Sequence, residues 1–207
     1  MKCKLLLPFL KSSPLKTCLL LPALLSILHA QAQKPRFGVK AGTAISNCRI
    51  NSVDPHTGTS KRISITGGVF VHIPINKSFS LRPGIEFVSK GALTADRYYS
   101  YNFYAYASQL RLSYLDLPVN LLYEIPVRSN KLLLGGGPVL SFLLNKKWNQ
   151  GIANNDIGFN LLAGYEWPIG ASVFINYTQG FKNVDATHTK GNKVTNYYFG
   201  ITFGYWF

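Results

Sequence analysis

The C-terminal segment Thr195-Asn-Tyr-Tyr-Phe-Gly-Ile-Thr-Phe-Gly-Tyr-Trp-Phe207 alternates between large apolar and small or polar side chains. The apolar series is Tyr197, Phe199, Ile201, Phe203, Tyr205 and Phe207, and the other series includes Asn196, Gly200, Thr202 and Gly204. Because successive side chains of a β-strand point to opposite faces, this period of two predicts a strand with one apolar face and one small or polar face.

The same alternation recurs upstream and predicts seven more strands, at 37–46, 63–73, 79–90, 111–123, 131–144, 156–167 and 171–181. Short turns at 75–78, 125–130 and 168–170 alternate with longer loops at 47–62, 91–110, 145–155 and 182–194. An even number of strands, with short turns at one end and long loops at the other, is typical of outer-membrane barrels. A sheet that crosses lipid must close, since lipid cannot satisfy the backbone groups of a free edge. We therefore predict an all-β fold, an eight-stranded antiparallel up-and-down transmembrane β-barrel.

A soluble β-sandwich or lipocalin-like barrel is the competing fold, because it too has one apolar face. The predicted inner face of this chain, however, is crowded with glycine and charge, and the chain ends on an aromatic-rich strand. The composition, 47% hydrophobic and 14% aromatic, suits a barrel whose apolar face meets lipid.

The N-terminal segment has the three parts of a secretory signal peptide. Lys2, Lys4, Lys11 and Lys16 precede the apolar run from Cys18 to Leu28, and Ala30-Gln31-Ala32 is a small-x-small cleavage signature. We predict a signal peptide at 1–32, cleaved after Ala32, and a barrel domain at 33–207. Cleavage would leave Cys48 as the single cysteine, so no intramolecular disulfide is expected.

Four short motifs, in this order and spacing, resemble the PorT-like outer membrane protein β-barrel domain family, whose members are built like the small OmpA and OmpX barrels. They are Phe37-Gly-Val-Lys-Ala-Gly-Thr43, Tyr114-Leu-Asp-Leu-Pro118, Gly135-Gly-Gly-Pro138 and Phe199-Gly-Ile-Thr-Phe-Gly-Tyr-Trp-Phe207. The resemblance implies an outer-membrane location. Phe203, Tyr205 and Phe207 also look like the signal that the barrel assembly machinery reads. Asn176 stands where family members often carry a basic residue.

The predicted inner face carries a set of charged side chains. This lumen network comprises Lys40, Arg82, Glu86, Lys90, Asp116, Asp156 and Glu166, with Glu124 beside them. The lumen of an eight-stranded barrel is just wide enough to be filled by side chains, and charges buried there must pair. We expect a salt-bridged plug; a gated ion path or proton wire is the alternative.

Catalysis and metal binding find little support in the sequence. His72 lies near the inner end of its strand, whereas His56 and His188 lie in long loops. Lipid-modifying barrel enzymes need a hydroxyl next to a positioned histidine base, and no serine here has the spacing of a recognisable triad. No His/Cys cluster has the spacing of metal ligands, so neither a metal nor another cofactor is expected.

The long loops hold basic and aromatic residues. Their cations, among them Arg49, Lys61, Arg62, Lys146, Lys147, Lys182, Lys190 and Lys193, suit the phosphates of lipopolysaccharide. The loop at 91–110 carries an aromatic group, Tyr98, Tyr99, Tyr101, Phe103, Tyr104 and Tyr106, which could bind an unidentified surface protein or glycan. Equally, these residues could form an aromatic collar on strands that extend beyond the bilayer. Nucleic acid is a poor partner for an exported chain, despite the net charge of +14.

These features together predict a non-enzymatic barrel with a plugged lumen. It would act as an envelope structural or surface-interaction protein through its extracellular loops. Expected partners are outer-membrane lipid, lipopolysaccharide and the barrel assembly machinery. The alternatives are a narrow, porin-like channel and a lipid-modifying enzyme that uses His72.

Overall fold

The computed structural model describes residues 34–51, 57–96, 106–147, 153–183 and 193–207. Nine strands run through these ranges: β1 (Arg36–Asn51), β2 (Thr57–Ser60), β3 (Arg62–Pro74), β4 (Phe79–Asp96), β5 (Tyr106–Val127), β6 (Asn130–Lys147), β7 (Asn155–Glu166), β8 (Ala171–Gly180) and β9 (Lys193–Trp206). The predicted signal peptide at 1–32 lies outside the described residues.

Eight of these strands close into a ring in the order β1, β3, β4, β5, β6, β7, β8, β9, and β9 pairs with β1 again. Every pairing is antiparallel. The short β2 continues the line of β3 and pairs with the far end of β4. The structure therefore confirms the predicted eight-stranded antiparallel barrel.

The two faces of the wall follow the alternation that the sequence predicts. On β9, the outward side chain of Phe203 is 67% exposed, whereas its inward neighbour Thr202 is 2% exposed. Apolar side chains cover the outer surface of every long strand, and polar or small side chains fill the interior, called the lumen below. The core of this protein is therefore largely polar, and its apolar surface faces outward, as lipid requires.

The short turns lie at one end of the barrel, called the turn end, and each has a distinct local geometry. In the β3–β4 turn, Asn76 Oδ1 accepts hydrogen bonds from the backbone N–H groups of Ser78 and Phe79, both at 2.8 Å. Arg128 in the β5–β6 turn and Gly170 in the β7–β8 turn have positive φ angles of 56° and 89°. Both chain ends of the barrel lie at the turn end as well, since Phe207 N donates to Phe37 O at 3.0 Å.

The strands reach further toward the other end, the loop end, than the sequence predicts. β4 ends at Asp96 rather than at residue 90, and β5 begins at Tyr106 rather than at residue 111. Tyr106 therefore lies in a strand, opposite Asp96, and its assignment to the loop was wrong. Hydrogen bonds between strands do not need lipid, so strand pairing continues beyond the apolar band. The alternation of apolar and polar residues fades there, because both faces of the strand meet water.

A proline interrupts the ladder where a charged residue enters the lumen. The β3–β4 register passes from Phe70–Gly84 to Ile73–Leu81 and skips the positions between them. Pro83 lies in this interval, and proline has no N–H to donate to a ladder. Its neighbour Arg82 is inward-facing and 5% exposed, so the irregular wall segment carries the guanidinium described next.

Candidate functional site

The candidate site is the side-chain network that fills the lumen. All seven charged residues of the predicted network occupy inward-facing positions: Lys40 on β1, Arg82, Glu86 and Lys90 on β4, Asp116 on β5, and Asp156 and Glu166 on β7. Six of them are buried, and the side chain of Lys40 is 16% exposed. Their positions follow directly from the period of two along each strand.

Arg82 crosses the lumen between two aromatic rings. Its guanidinium carbon lies 4.6 Å from the centroid of Phe70 on β3 and 4.5 Å from that of Phe174 on β8. β4 and β8 are four strands apart in either direction around the ring, so Arg82 and Phe174 come from opposite walls. Glu166 on β7 adds a carboxylate oxygen 3.7 Å from Arg82 Nη2. A cation between two ring faces is stabilised by both quadrupoles, and more strongly when water is excluded.

Two glycines make room for these rings. A Cβ on Gly164 would lie 2.1 Å from Phe174 Cδ1, and a Cβ on Gly38 would lie 2.4 Å from Phe70 Cζ. Both distances are far below van der Waals contact, so any larger residue would displace a ring. The glycines on the inner face therefore position the aromatic side chains that hold Arg82.

A second ion pair bridges two strands across a third. Lys40 on β1 and Glu86 on β4 are both register partners of Gly68 on β3. Because Gly68 has no side chain, Lys40 Nζ reaches over it and contacts Glu86 Oε1. A Cβ on Gly68 would also lie 2.1 Å from the backbone oxygen of Ile85, so the wall is closely packed at this point.

Lys90 forms the third charged centre, nearer the loop end. Its Nζ lies 2.8–2.9 Å from the two carboxylate oxygens of Asp116 and donates to Ser141 Oγ at 2.9 Å. The rings of Tyr114 and Tyr198 lie 4.8 and 5.5 Å from this ammonium group. The five side chains come from four strands, so this centre also joins separate parts of the wall.

An amide layer adds uncharged contacts across the lumen. Asn160 Nδ2 donates to Asn120 Oδ1 at 3.0 Å, and Thr178 Oγ1 donates to Asn160 Oδ1 at 3.0 Å. The three residues lie on β7, β5 and β8, and each is buried. Buried polar groups are tolerated when they are hydrogen-bonded in this way.

Another cluster lies at the turn end. His72 Nε2 is 3.2 Å from Glu124 Oε1, and Lys131 Nζ is 2.8 Å from Glu124 Oε2. Glu124 thus holds one basic group on each oxygen. The sequence analysis gave Lys131 no role. Lys131 follows the short β5–β6 turn directly and therefore lies at the mouth of the lumen.

Asp156 differs from the other predicted network residues. It lies at the loop end of β7, and its Oδ1 accepts a hydrogen bond from the backbone N–H of Lys182 at 3.0 Å. The structure thus joins Arg82 with Glu166, Lys40 with Glu86, and Lys90 with Asp116, whereas Asp156 contacts the chain where β8 ends. Nearby, buried Cys48 places its Sγ 3.0 Å from Asn196 Oδ1.

The sequence analysis missed the aromatic residues inside the lumen, Phe70, Tyr114, Phe174 and Tyr198. They share the inward parity of the polar positions, so the alternation alone could have located them. We assigned aromatic residues to the lipid-facing side because that side of a barrel is usually the apolar one. An aromatic ring inside the lumen becomes favourable when a buried cation lies against its face.

The predicted loop and assembly residues lie elsewhere. Tyr98, Tyr99, Tyr101, Phe103 and Tyr104, like His56 and His188, lie outside the described residues. Phe203 and Tyr205 point outward from β9 and Phe207 follows it, with exposures of 67%, 49% and 71%.

Two features are absent from the described ranges. Within these ranges, no group of three or more His, Cys, Asp or Glu residues could hold a metal ion. No helix in the same ranges is long and apolar enough to cross a membrane.

Fold and interior together define an outer membrane β-barrel protein of the small, eight-stranded type. The family model of the outer membrane protein β-barrel domain matches residues 30–204, and the chain belongs to this family. No curated protein sequence matches the chain.

Solved structures give the same fold. The outer membrane protein OprG from Pseudomonas aeruginosa is 11% identical, with 84% of this chain and 97% of that chain covered and a TM-score of 0.53. Neisserial surface protein A is 14% identical, with coverages of 85% and 99% and a TM-score of 0.46. The outer membrane enzyme PagL is 12% identical, with coverages of 80% and 98% and a TM-score of 0.44. At such identities, the likeness to OprG concerns the fold and carries no function.

Proposed function

We propose that this protein is a non-enzymatic outer-membrane barrel with a closed lumen, which acts as an envelope structural or surface-interaction protein through its extracellular end. The observation that carries the proposal is the position of Arg82. Its guanidinium is held between rings from two walls and beside Glu166, in the middle of the space that a solute would have to cross.

The remaining network supports closure at several levels. The His72–Glu124–Lys131 cluster lies at the turn end, the Lys40–Glu86 pair farther in, and the Lys90–Asp116 pair toward the loop end. An ion passing through would have to separate buried pairs, and removing one partner of such a pair typically costs about 3–5 kcal/mol. This cost favours a permanent plug over a path that opens and closes.

The non-enzymatic part of the proposal rests on His72. Its imidazole lies beside Glu124 and is 4% exposed, deep inside the turn end of the lumen. A lipid substrate would have to enter this closed space to meet it. If overproduction of the protein alters lipid A, and His72→Ala abolishes the alteration, the non-enzymatic proposal is wrong.

Finer assignments belong to the same proposal. We place the protein in the PorT-like part of its family on the four quoted motifs, and we expect cleavage of the signal peptide after Ala32. We propose outer-membrane lipid, lipopolysaccharide and the barrel assembly machinery as partners, and the aromatic residues from Tyr98 to Tyr106 as the surface for a protein or glycan ligand.

Conductance in a planar bilayer tests the closed lumen directly. Protein purified from outer membranes, with its fold verified by heat-dependent gel mobility, should give no steady single-channel openings. A porin of known conductance, reconstituted in the same way, serves as the positive control. Steady openings of the wild-type protein that change with Lys40→Gln or Glu86→Gln would identify a narrow channel instead.

A further inference from the structure

The outer surface of β1 and β3 carries smaller side chains than the strands on either side of them. Two register rows show this, each crossing β9, β1, β3 and β4 in that order: Phe203–Ala41–Gly67–Phe87 and, nearer the turn end, Tyr205–Val39–Val69–Ile85. All eight residues have the outward parity of their strands. The two middle strands therefore form the floor of a valley, and larger side chains from β9 and β4 flank it.

Gly67 makes the floor of this valley lowest. A Cβ on Gly67 would lie 3.9 Å from Ala41 Cβ, so the two positions are neighbours on the outer face. Its nearest contact would be the backbone oxygen of Lys40 at 3.4 Å, an ordinary van der Waals distance, so the wall does not require glycine here. A glycine inside a strand often marks a place where a ligand approaches the backbone closely.

The valley deepens toward the turn end into a hollow of about 450 Å³. The lining consists of apolar residues and glycine, among them Val39, Val71, Pro83, Ile85 and Phe207. Pro83 belongs to the interval in which the β3–β4 register skips positions, so the hollow lies where the wall is irregular. Its volume is within the range of about 300–1,000 Å³ that is usual for ligand sites.

The position of the hollow indicates which side of the membrane it faces. Phe207, on its edge, follows β9 at the turn end and donates its N–H to Phe37 O at 3.0 Å. The short turns of outer-membrane barrels lie in the periplasm. The hollow therefore faces the hydrocarbon of the periplasmic leaflet, which consists of phospholipid, whereas lipopolysaccharide occupies the outer leaflet.

We propose that the valley formed by Val39, Ala41, Gly67, Val69 and Val71 binds one acyl chain of a phospholipid from the periplasmic leaflet. A chain in the valley contacts the floor and both flanks, whereas a chain on the convex wall contacts one side only, so the valley offers more dispersion contacts. The headgroup lies beyond the hollow, since the lining has no polar side chain. The inference rests on the proposed outer-membrane location and lipid partner, and it is independent of the closed lumen.

Photo-crosslinking in cells identifies and locates the lipid. Cells producing the protein would be grown with a fatty acid that carries a diazirine in mid-chain and then irradiated. The barrel would be purified and its adducts mapped by peptide mass spectrometry, where the adduct mass separates phospholipid from lipid A and from free fatty acid. We expect phospholipid adducts on β1 and β3 to exceed those on β6 and β7 about fivefold, because the valley surrounds the chain.

Substitutions that fill the valley should displace the chain. Gly67→Leu and Ala41→Leu each place a branched side chain on the floor, and each should lower the phospholipid adducts on β1 and β3 about fivefold, because the chain loses contacts there. Ala163→Leu adds the same side chain to an exposed, outward position on β7 and is the matched control. It should leave the adducts on β1 and β3 unchanged.

Four outcomes would overturn the proposal. Phospholipid adducts spread evenly over the eight strands would mean that lipid merely solvates the wall, and adducts with the mass of lipid A or of free fatty acid would identify another occupant. Unchanged adducts in Ala41→Leu would place the chain elsewhere, and this milder variant decides the matter if Gly67→Leu does not fold. Light scattering that finds two chains in each detergent complex, separated by Ala41→Leu, would make the valley an interface between copies. Conductance is measured separately, so failure here leaves the closed lumen untouched.

Discussion

Arg82 and Phe174 meet inside the barrel, with 4.5 Å between the guanidinium carbon and the centroid of the aromatic ring, although their strands lie on opposite sides of the barrel. A contact of this kind joins two walls that share no hydrogen bonds. The lumen network therefore stabilises the closed barrel as well as filling it.

Removing the Phe174 ring should destabilise the barrel more than removing an outward side chain of the same strand. We expect Phe174→Ala to lower the free energy of unfolding by about 3–5 kcal/mol, because it leaves a cavity and removes one cation–π contact. Urea unfolding in detergent measures the change. Ile175→Ala, which faces the detergent, is the control, and an equal loss there would show that the contact with Arg82 adds nothing.

Gly164 should tolerate alanine only when Phe174 is reduced in size. A Cβ at Gly164 would overlap the Phe174 ring, and overpacking of this kind typically costs about 1–3 kcal/mol. In a double-mutant cycle, Gly164→Ala should therefore cost less in the Phe174→Ala background than in the wild-type protein. Gly67→Ala is the control, since its Cβ would find its nearest neighbour at 3.4 Å. Additive effects of the two substitutions would contradict the proposed packing.

The Lys90–Asp116 pair should be more sensitive to single than to paired substitution. Lys90→Met leaves the carboxylate of Asp116, which is 1% exposed, without its ammonium partner, and we expect a loss of about 3–5 kcal/mol. Replacing both residues, as in Lys90→Met with Asp116→Leu, should recover most of that loss. Urea midpoints of the two single variants and the double variant provide the test, and a double variant no better than either single one would argue against the pair.

The alternation of apolar and polar residues in the sequence predicts most of this fold, because one face of every long strand meets lipid and the other fills the lumen. Phe203 and Thr202 on β9 show this plainly, since they are adjacent and their exposures differ widely. The positions of the charged residues in the lumen follow from the same parity. The partners of these residues do not follow from parity. Lys40 reaches Glu86 over Gly68, and Arg82 reaches Phe174 on the opposite wall of the barrel. Both contacts depend on the register and closure of the barrel. The extra length of β4 and β5 could not be predicted from the sequence either, because the alternation of apolar and polar residues weakens where both faces of a strand meet water.

The C-terminal aromatic residues should matter more for assembly than for stability. Phe203, Tyr205 and Phe207 are exposed on the outer surface, where their removal leaves no cavity. If they are the signal for the barrel assembly machinery, Phe207→Ala should reduce the amount of folded protein in outer membranes severalfold. The urea midpoint of the protein that does assemble should hardly change. Ile169→Ala, an equally exposed apolar residue in a turn, is the control. Normal levels of the Phe207→Ala protein would remove the assembly signal from the proposal.

The aromatic segment from Tyr98 to Tyr106 offers a test of surface interaction, and the strand assignment changes how the test is designed. Deletion of the whole segment would remove Tyr106, which lies in β5 opposite Asp96, and could disturb the wall. Replacing Tyr98, Tyr99, Tyr101, Phe103 and Tyr104 by serine leaves this pairing in place. We expect cells carrying the replaced segment to lose binding to glycan arrays or to surface protein, because aromatic rings supply the contact area in such interfaces. Wild-type levels of heat-modifiable protein would show that the barrel still assembles. Unchanged binding with normal assembly would leave these residues as a collar around the extended strands, with no ligand of their own.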